Sequence, residues 1–114
     1  MKLFLDTAII EDIDSRLGSG VISGVTTNPT LIKKSGKDPD DIYADLIQDI
    51  GVKDLSIEVN GQFADQLIEN GIKYGKLWAN EATIKLPCTP EGIKACTTLS
   101  YMGIRTIMTL VFSV

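Results

Sequence analysis

A strand that runs directly into a helix is encoded by residues 83–92, TIKLPCTPEG. Thr83 to Leu86 is a short run of alternating polar and apolar residues, which predicts a β-strand. Thr89 is a helix-capping residue type, and Pro90 follows it where proline fits the first helical turn. Glu91 adds an acid where a helix start favours one. The stretch therefore predicts one strand–helix unit, and the fold depends on how often such units recur.

Units of this kind recur on both sides of the quoted stretch. Because strands alternate with helices, the order predicts a parallel sheet with right-handed crossovers. The chain has 114 residues, whereas a complete (β/α)8 barrel typically needs about 250. The predicted fold class is therefore α/β, a partial TIM (β/α)8 barrel. We expect one truncated barrel domain over residues 1–114, with about the first five parallel strands and four helical crossovers. The predicted strands are Lys2 to Asp6, Ser23 to Thr27, Leu55 to Val59, Thr83 to Leu86 and Arg105 to Phe112.

The helices predicted between these strands have recognisable ends. Gly18 to Gly20 ends the first helix, and a short second helix is expected over Thr30 to Lys34. Asp40 or Asp41 is expected to cap the third. Two amphipathic helices follow. Their expected buried residues are Phe63, Leu67, Ile68 and Ile72 within Gln62 to Tyr74, and Ile93, Cys96, Leu99 and Met102 after Thr89.

Composition excludes several classes of protein. The chain contains no histidine, which excludes imidazole catalysis and histidine-ligated metals. Cys88 and Cys96 lack a CxxC spacing, so we expect neither a zinc site nor a disulfide framework. The expected location is the reducing cytoplasm. The formal net charge is −4 without a cluster of basic residues, so no nucleic-acid partner is expected. No apolar run reaches membrane-spanning length, and no membrane partner or cofactor is expected.

Polar side chains lie near the carboxyl end of every predicted strand. In parallel barrels, lumen-facing positions at these ends carry the functional groups. Each has a plain structural alternative: an aspartate caps a helix, an asparagine before proline forms a turn, a glutamate protects a sheet edge, and a threonine favours strands. Together they nevertheless predict a site. Its residues are Asp6, Asn28, Glu58, Lys85 and Thr109, with Thr26 in the same strand end as Asn28.

Lys85 carries the most specific signal of this set. It lies between Ile84 and Leu86 in a strand that helices must cover, where a charged and unpaired lysine is costly. One interpretation is that its side chain extends to water or pairs with Glu58 or Asp6. The other is chemical, because a desolvated amine becomes a nucleophile toward a ketone. Carboxylates and a hydroxyl can move the protons that imine formation requires, without histidine.

Four blocks of the sequence resemble the small transaldolase and fructose-6-phosphate aldolase family. They are LFLDT at residues 3–7, GVTTNPTLI at 24–32, IKLPCTPEGI at 84–93, and Gly103-Ile104 followed by MTLVFS at 108–113. The blocks span nearly the whole chain. The resemblance implies a Schiff-base enzyme with class I aldolase chemistry that acts on sugar phosphates.

The resemblance also implies roles for the predicted site residues. Lys85 takes the place of the Schiff-base lysine. Asp6 takes the place of the aspartate that assists proton transfer and contacts substrate hydroxyls. Asn28 corresponds to the asparagine that holds the substrate, and Thr26 lies in the same block.

Two further positions bear on the catalytic water and on the subfamily. Glu58 and Thr109 correspond to the acid and the hydroxyl that position this water. Transaldolases resemble this chain in having glutamate at the position of Glu58, whereas fructose-6-phosphate aldolases have glutamine, and Phe112-Ser113 also looks like the transaldolase version. The implied reaction, part of the pentose phosphate pathway, transfers a dihydroxyacetone unit to an aldose phosphate. The implied donor is fructose 6-phosphate or sedoheptulose 7-phosphate.

The chain departs from the family pattern at its end. The family closes eight strands and takes its phosphate-gripping arginine and serine from strands six and seven, which this sequence does not contain. Two alternatives to an active transaldolase therefore stay open, a fructose-6-phosphate aldolase and an inactive half-barrel that associates with itself. A partial barrel exposes lumen-facing side chains and two strand edges, so a homo-oligomer is expected. A general phosphate-binding module lacks support, because there is no glycine-rich phosphate loop.

Overall fold

The computed structural model describes residues 4–6, 24–27 and 29–109. Strands and helices alternate along these residues, and the predicted fold class is confirmed. The predicted crossover between the first two strands, Asn28 and residues 110–112 of the predicted fifth strand lie outside the described residues. The elements are β1 Phe4–Asp6, β2 Gly24–Thr26, α1 Pro29–Ser35, α2 Pro39–Ala44 with a π-helical continuation Asp45–Ile50, β3 Leu55–Glu58, α3 Ala64–Leu77, β4 Ala82–Pro87, α4 Pro90–Tyr101 and β5 Thr106–Thr109.

The chain divides into two compact units, and the boundary between Ser56 and Ile57 falls inside β3. In the first unit, β2 pairs in parallel with β1 on one side and with the start of β3 on the other. In the second unit, the end of β3 is followed by β4 and β5, and β4 pairs in parallel with β5. Every strand neighbour is thus the next strand in sequence, as in the opening part of a (β/α) barrel.

The helix after α1 begins earlier than predicted. Asp40 or Asp41 was the expected cap, but Asp38 has extended backbone angles and its carboxylate accepts a hydrogen bond from the Asp40 amide at 2.9 Å. Pro39 then occupies the first helical position, where its fixed φ and missing N–H cost nothing. The aspartate–proline pair therefore sets the start of α2, and the later aspartates lie in its first turn.

Buried apolar residues described in the first unit come from its strands and from the α2 segment. Gly51 ends the π-helical continuation with a φ of 85°, a left-handed conformation that glycine adopts without strain. This turn lets the Val52 amide donate to the carbonyl of Leu46 at 2.9 Å, before the chain enters β3. Among the described residues of this unit, the fully buried apolar side chains are Val25, Ile42, Leu46 and Leu55.

The core of the second unit lies between β4 and the helices α3 and α4. Alternate residues of β4 are buried, so one face of this strand packs against the helices. Gly71 and Gly75 of α3 allow close approach to Leu99 and Ile104, because a β-carbon at either glycine would crowd those side chains. The buried cluster consists of Val59, Leu67, Ile84, Leu86, Ala95 and Leu99.

The predicted buried face of α4 was partly wrong. Ile93 is 55% exposed and Met102 is 45% exposed, whereas Ala95 and Leu99 are fully buried and Cys96 is half-buried. The reason lies in the first turn, where Gly92 lies directly on the carbonyl of Pro87. This contact turns the glycine–alanine–leucine stripe toward the sheet and leaves the larger isoleucine outside.

Phe63 was also wrongly assigned to a buried face. It is exposed because it lies at the N-cap position of α3, one residue before the helix begins. Leu67, four residues later, is buried as predicted. Among the described residues, no helix combines the length and apolar character needed to cross a membrane.

Candidate active site

The β4 strand places Lys85 on its open face, away from the helices. Ile84 and Leu86 are fully buried in the cluster that α3 and α4 cover. Lys85, between them, is half-buried, because successive side chains of a strand point to opposite faces. Lys85 therefore lies on the face opposite to that of Ile84 and Leu86. In a parallel barrel this face is the lumen.

Glu58 lies on the same face of the second unit as Lys85. The Val59 amide donates to the Lys85 carbonyl at 3.2 Å, which places the end of β3 directly beside Lys85. Val59 packs into the helix-covered cluster together with Leu86. The half-buried Glu58, one residue earlier, consequently projects from the opposite face, which is the face of Lys85. The structure thus brings together two of the predicted site residues.

The neighbouring strand β5 contributes an apolar wall beside Lys85. Ile107 pairs in register with Lys85 and is 49% exposed, whereas Met108 packs against the helix-covered cluster. Thr109, a predicted site residue, has its backbone paired with that of Pro87, at the carboxyl end of β4. The open face therefore presents an amine beside an exposed isoleucine.

The remaining predicted residues belong to the first unit. The backbone of Asp6 pairs with that of Thr26, so these two positions meet at the carboxyl ends of β1 and β2. Thr26 is half-buried and pairs in turn with Ser56. Next to it, the buried Thr27 donates its hydroxyl to the Ser56 carbonyl at 3.1 Å, which is a structural role. Asn28 lies outside the described residues.

Lys85 has no ion-pair partner among the residues that the structure describes. An ion pair in that part of the chain joins Lys94 and Glu91, whose N–O distance is 3.1 Å. The alternative in which Lys85 pairs with Glu58 is therefore not observed.

Glu91 is a site neighbour whose role the sequence did not reveal. Its Oε1 accepts a hydrogen bond from the Ala64 amide at 3.2 Å, although the two residues are 27 positions apart. This backbone hydrogen bond, and secondly the bond to Lys94, hold the pKa of the Glu91 carboxyl below its ordinary value. No residue spacing could have revealed the contact, because it depends on how the starts of two helices approach each other in the fold.

Within residues 4–6, 24–27 and 29–109, no group of three or more cysteine, aspartate and glutamate side chains could hold a metal ion. The open face of the second unit carries the amine of Lys85 and the carboxylate of Glu58, both half-buried.

Known proteins with similar sequences fall in one family. The chain matches the family model of Transaldolase/Fructose-6-phosphate aldolase over residues 3–114. A probable transaldolase of Symbiobacterium thermophilum is 44% identical over 113 residues, which are 99% of this chain and 51% of that protein. A probable transaldolase of Streptococcus pyogenes serotype M5 is 41% identical over 114 residues, 100% of this chain and 52% of that protein. The chain spans about half the length of these curated relatives. With a family match over nearly all its length and a lysine on the open face of β4, the chain belongs to the transaldolase/fructose-6-phosphate aldolase family.

Proposed function

We propose that this chain carries the Schiff-base part of a transaldolase reaction, with Lys85 as the nucleophile. The observation that carries the proposal is the position of Lys85, which projects from the open face of β4 while its two neighbours are fully buried. Glu58 lies on the same face and no described carboxylate is ion-paired with the amine. Membership of an aldolase-type family supports the same chemistry.

The proposed reaction proceeds through an imine on Lys85. The neutral Nζ attacks the ketone carbon of a ketose phosphate, and the resulting carbinolamine loses water to give an iminium ion. A base takes the proton of the hydroxyl on the β-carbon, and the bond between the α- and β-carbons breaks. Its electron pair passes to the iminium, so an aldose phosphate leaves and a dihydroxyacetone unit stays on the lysine as an enamine. Addition of this unit to a second aldose phosphate, followed by hydrolysis, regenerates the free amine.

The other predicted residues are proposed to move protons and hold the substrate. We assign Glu58 and Thr109 to the water that is lost and regained, since each lies at the carboxyl end of a strand next to β4. We assign Asp6 to proton transfer at the substrate hydroxyls. Asn28 and Thr26 are assigned to substrate binding.

The substrates follow from the names of the relatives and from one residue. Both relatives described above are probable transaldolases, and Glu58 is the residue type that the family resemblance implies for transaldolases rather than aldolases. We therefore propose fructose 6-phosphate or sedoheptulose 7-phosphate as donor, an aldose phosphate as acceptor, and a place in the pentose phosphate pathway. The free thiols of Cys88 and Cys96 support a cytoplasmic, reducing location.

Imine trapping tests this function directly. Borohydride reduces an iminium to a stable secondary amine, so fructose 6-phosphate plus borohydride should label the chain at Lys85, as mapped by peptide mass spectrometry. The Lys85→Met variant should remain unlabelled, and the control Lys76→Arg, in an exposed position of α3, should be labelled like the wild type. A turnover assay with erythrose 4-phosphate as acceptor tests transfer. An unlabelled wild-type chain would exclude the proposed chemistry.

A further inference from the structure

The first turns of α3 and α4 are joined by the Glu91–Ala64 hydrogen bond. The loop after β3 leads from Glu58 to the first residue of α3, Ala64. The loop after β4, residues 88–89, leads from Pro87 to the first turn of α4, which contains Glu91. The 3.2 Å contact between Glu91 and Ala64 is long-range in sequence and partly buried. It therefore connects the starts of the two helices that follow β3, which carries Glu58, and β4, which carries Lys85.

The Ala64 amide depends on Glu91 because its own helix offers it no acceptor. The first amides of a helix lack intrahelical partners, and the residue before Ala64 is Phe63, whose side chain cannot accept a hydrogen bond. Gln66 satisfies the two preceding amides, since its Oε1 accepts from Gln62 at 2.9 Å and from Phe63 at 3.3 Å. The Ala64 amide, which follows these two, donates to the Glu91 carboxylate instead. A carboxylate at a helix N-terminus is electrostatically favourable.

Glu91 is itself held firmly at the end of β4. The Thr89 hydroxyl accepts a hydrogen bond from the Gly92 amide at 3.0 Å, which caps α4. Gly92 lies against the Pro87 carbonyl so closely that any side chain there would collide with it. Lys94 contacts the second carboxylate oxygen from the following turn. The position of Glu91 is therefore fixed relative to the last residues of β4, and through its carboxylate the start of α3 is fixed as well.

We propose that Glu91 is a positioning residue for the reaction at Lys85. It fastens the first turn of α3 to the first turn of α4 and so keeps the carboxyl end of β3, with Glu58, at a set distance from Lys85. This inference rests on the proposed function, because it assigns Glu91 to the alignment of the amine and the acid in imine formation. Loss of such alignment affects the maximal rate of the chemical step, since a displacement of about 1 Å can cost about a hundredfold.

The test compares three substitutions of Glu91. Glu91→Gln keeps an oxygen acceptor for the Ala64 amide, Glu91→Asp keeps the charge but shortens the reach, and Glu91→Ala removes both. Each is measured by the rate of borohydride trapping at Lys85 over a range of fructose 6-phosphate concentrations, which separates maximal rate from half-saturation. Exchange of the Ala64 amide with deuterium, followed by NMR, reports the hydrogen bond itself. All measurements are made where circular dichroism shows the variant to be folded.

The proposal predicts a defined pattern. Glu91→Ala and Glu91→Asp should expose the Ala64 amide to exchange and lower the maximal trapping rate about tenfold to a hundredfold, with little change in half-saturation. Glu91→Gln should restore both properties to within about threefold of the wild type, because rescue needs only the acceptor. One control should match the wild type, namely Glu69→Ala, on the exposed side of α3.

Three results would overturn the proposal in distinguishable ways. If the Ala64 amide exchanges as fast in the wild type as in Glu91→Ala, the connection itself does not exist. If that amide is protected by Glu91 but the maximal rates of all variants agree, the connection exists and does not position the site. If the wild type is protected at Ala64 yet shows no trapping at Lys85, the proposed function fails, and the positioning role fails with it.

Discussion

At the residue scale, the proposed imine chemistry depends on the position of the Lys85 amine. Ile84 and Leu86 anchor β4 in the helix-covered core, and this leaves Lys85 on the open face. The backbone hydrogen bond from Val59 to Lys85 then sets Glu58 beside it. The position of the lysine is thus set by its apolar neighbours in β4, which the helices cover.

Removal of the Glu58 carboxylate should slow imine formation. Dehydration of the carbinolamine needs a proton donor and acceptor, and general acid–base catalysis contributes typically about a hundredfold or more. Glu58→Ala should therefore lower the rate of borohydride trapping at Lys85 by about a hundredfold, measured with fructose 6-phosphate. Glu69→Ala serves as the matched control on an exposed helix position. Equal rates in the two variants would remove Glu58 from the mechanism.

The lowered pKa of Glu91 makes folding stability depend on pH. Its hydrogen bond from the Ala64 amide, and then Lys94, favour the ionised form in the folded chain. The stability that this carboxylate contributes is complete above the ordinary glutamate pKa of about 4.3, and it is lost as the pH falls through the lowered folded value. The Glu91→Gln variant cannot titrate, so its urea midpoint should fall less steeply than that of the wild type below about pH 5. Parallel curves for the two proteins would contradict this coupling.

At the element scale, the face that α4 presents to the sheet is set by its smallest residue. Gly92 rests on the Pro87 carbonyl, and this contact selects Ala95 and Leu99 for burial instead of Ile93. Helical periodicity alone favoured the larger apolar residues and was misled at Ile93. Volume is a poor guide where a helix approaches a backbone carbonyl this closely.

The Gly92→Ala substitution should destabilise the fold, which reverses the usual effect of this exchange in a helix. Alanine normally stabilises a helix interior by about 0.5–1 kcal/mol relative to glycine. Here the new methyl group would meet the Pro87 carbonyl, and forcing extra volume into a packed contact costs about 1–3 kcal/mol. Urea unfolding should show the loss, while Thr98→Ala on the exposed side of α4 should stay near the wild-type value. A more stable Gly92→Ala variant would disprove the close contact.

Local sequence patterns predicted the strands and helices well, but they did not predict contacts between residues that are distant in sequence. The alternation around Lys85 and the Thr89–Pro90 helix start are properties of a few adjacent residues, and both are observed. The start of α2 was missed by two residues, because Asp38 and Asp40 are equally good capping residue types and only the position of Pro39 separates them. The hydrogen bond between Glu91 and Ala64 could not be predicted, since a contact between the starts of two helices leaves no periodic pattern in the sequence.

At the whole-molecule scale, large apolar side chains remain exposed on more than one surface. Ile107 shares a face with Lys85, whereas Tyr101 and Met102 lie at the end of α4. Exposed apolar area of this kind is commonly buried in assemblies. The expected homo-oligomer stays a prediction, and these side chains offer a way to test it.

Association through the open face should be sensitive to Ile107 and insensitive to Met102. Light scattering of the wild type at dilute concentration should give at least twice the mass of one chain. The Ile107→Ser variant should shift the mass toward a monomer, because it removes apolar area from the face that self-association would bury. Met102→Ser removes a comparable exposed side chain from the helix end and should leave the mass unchanged. A wild-type chain that is monomeric at high concentration would contradict the prediction.

The pairing of each strand with its neighbour in sequence has a consequence for biosynthesis. Contacts between strands that are consecutive in sequence close comparatively short stretches of chain, which costs little conformational entropy and happens quickly. The boundary at Ser56 means that the first unit already contains its own paired strands and buried residues before Ile57 is added. On the ribosome, the amino-terminal unit therefore has partners for its apolar side chains while the strand that bears Lys85 is still being translated.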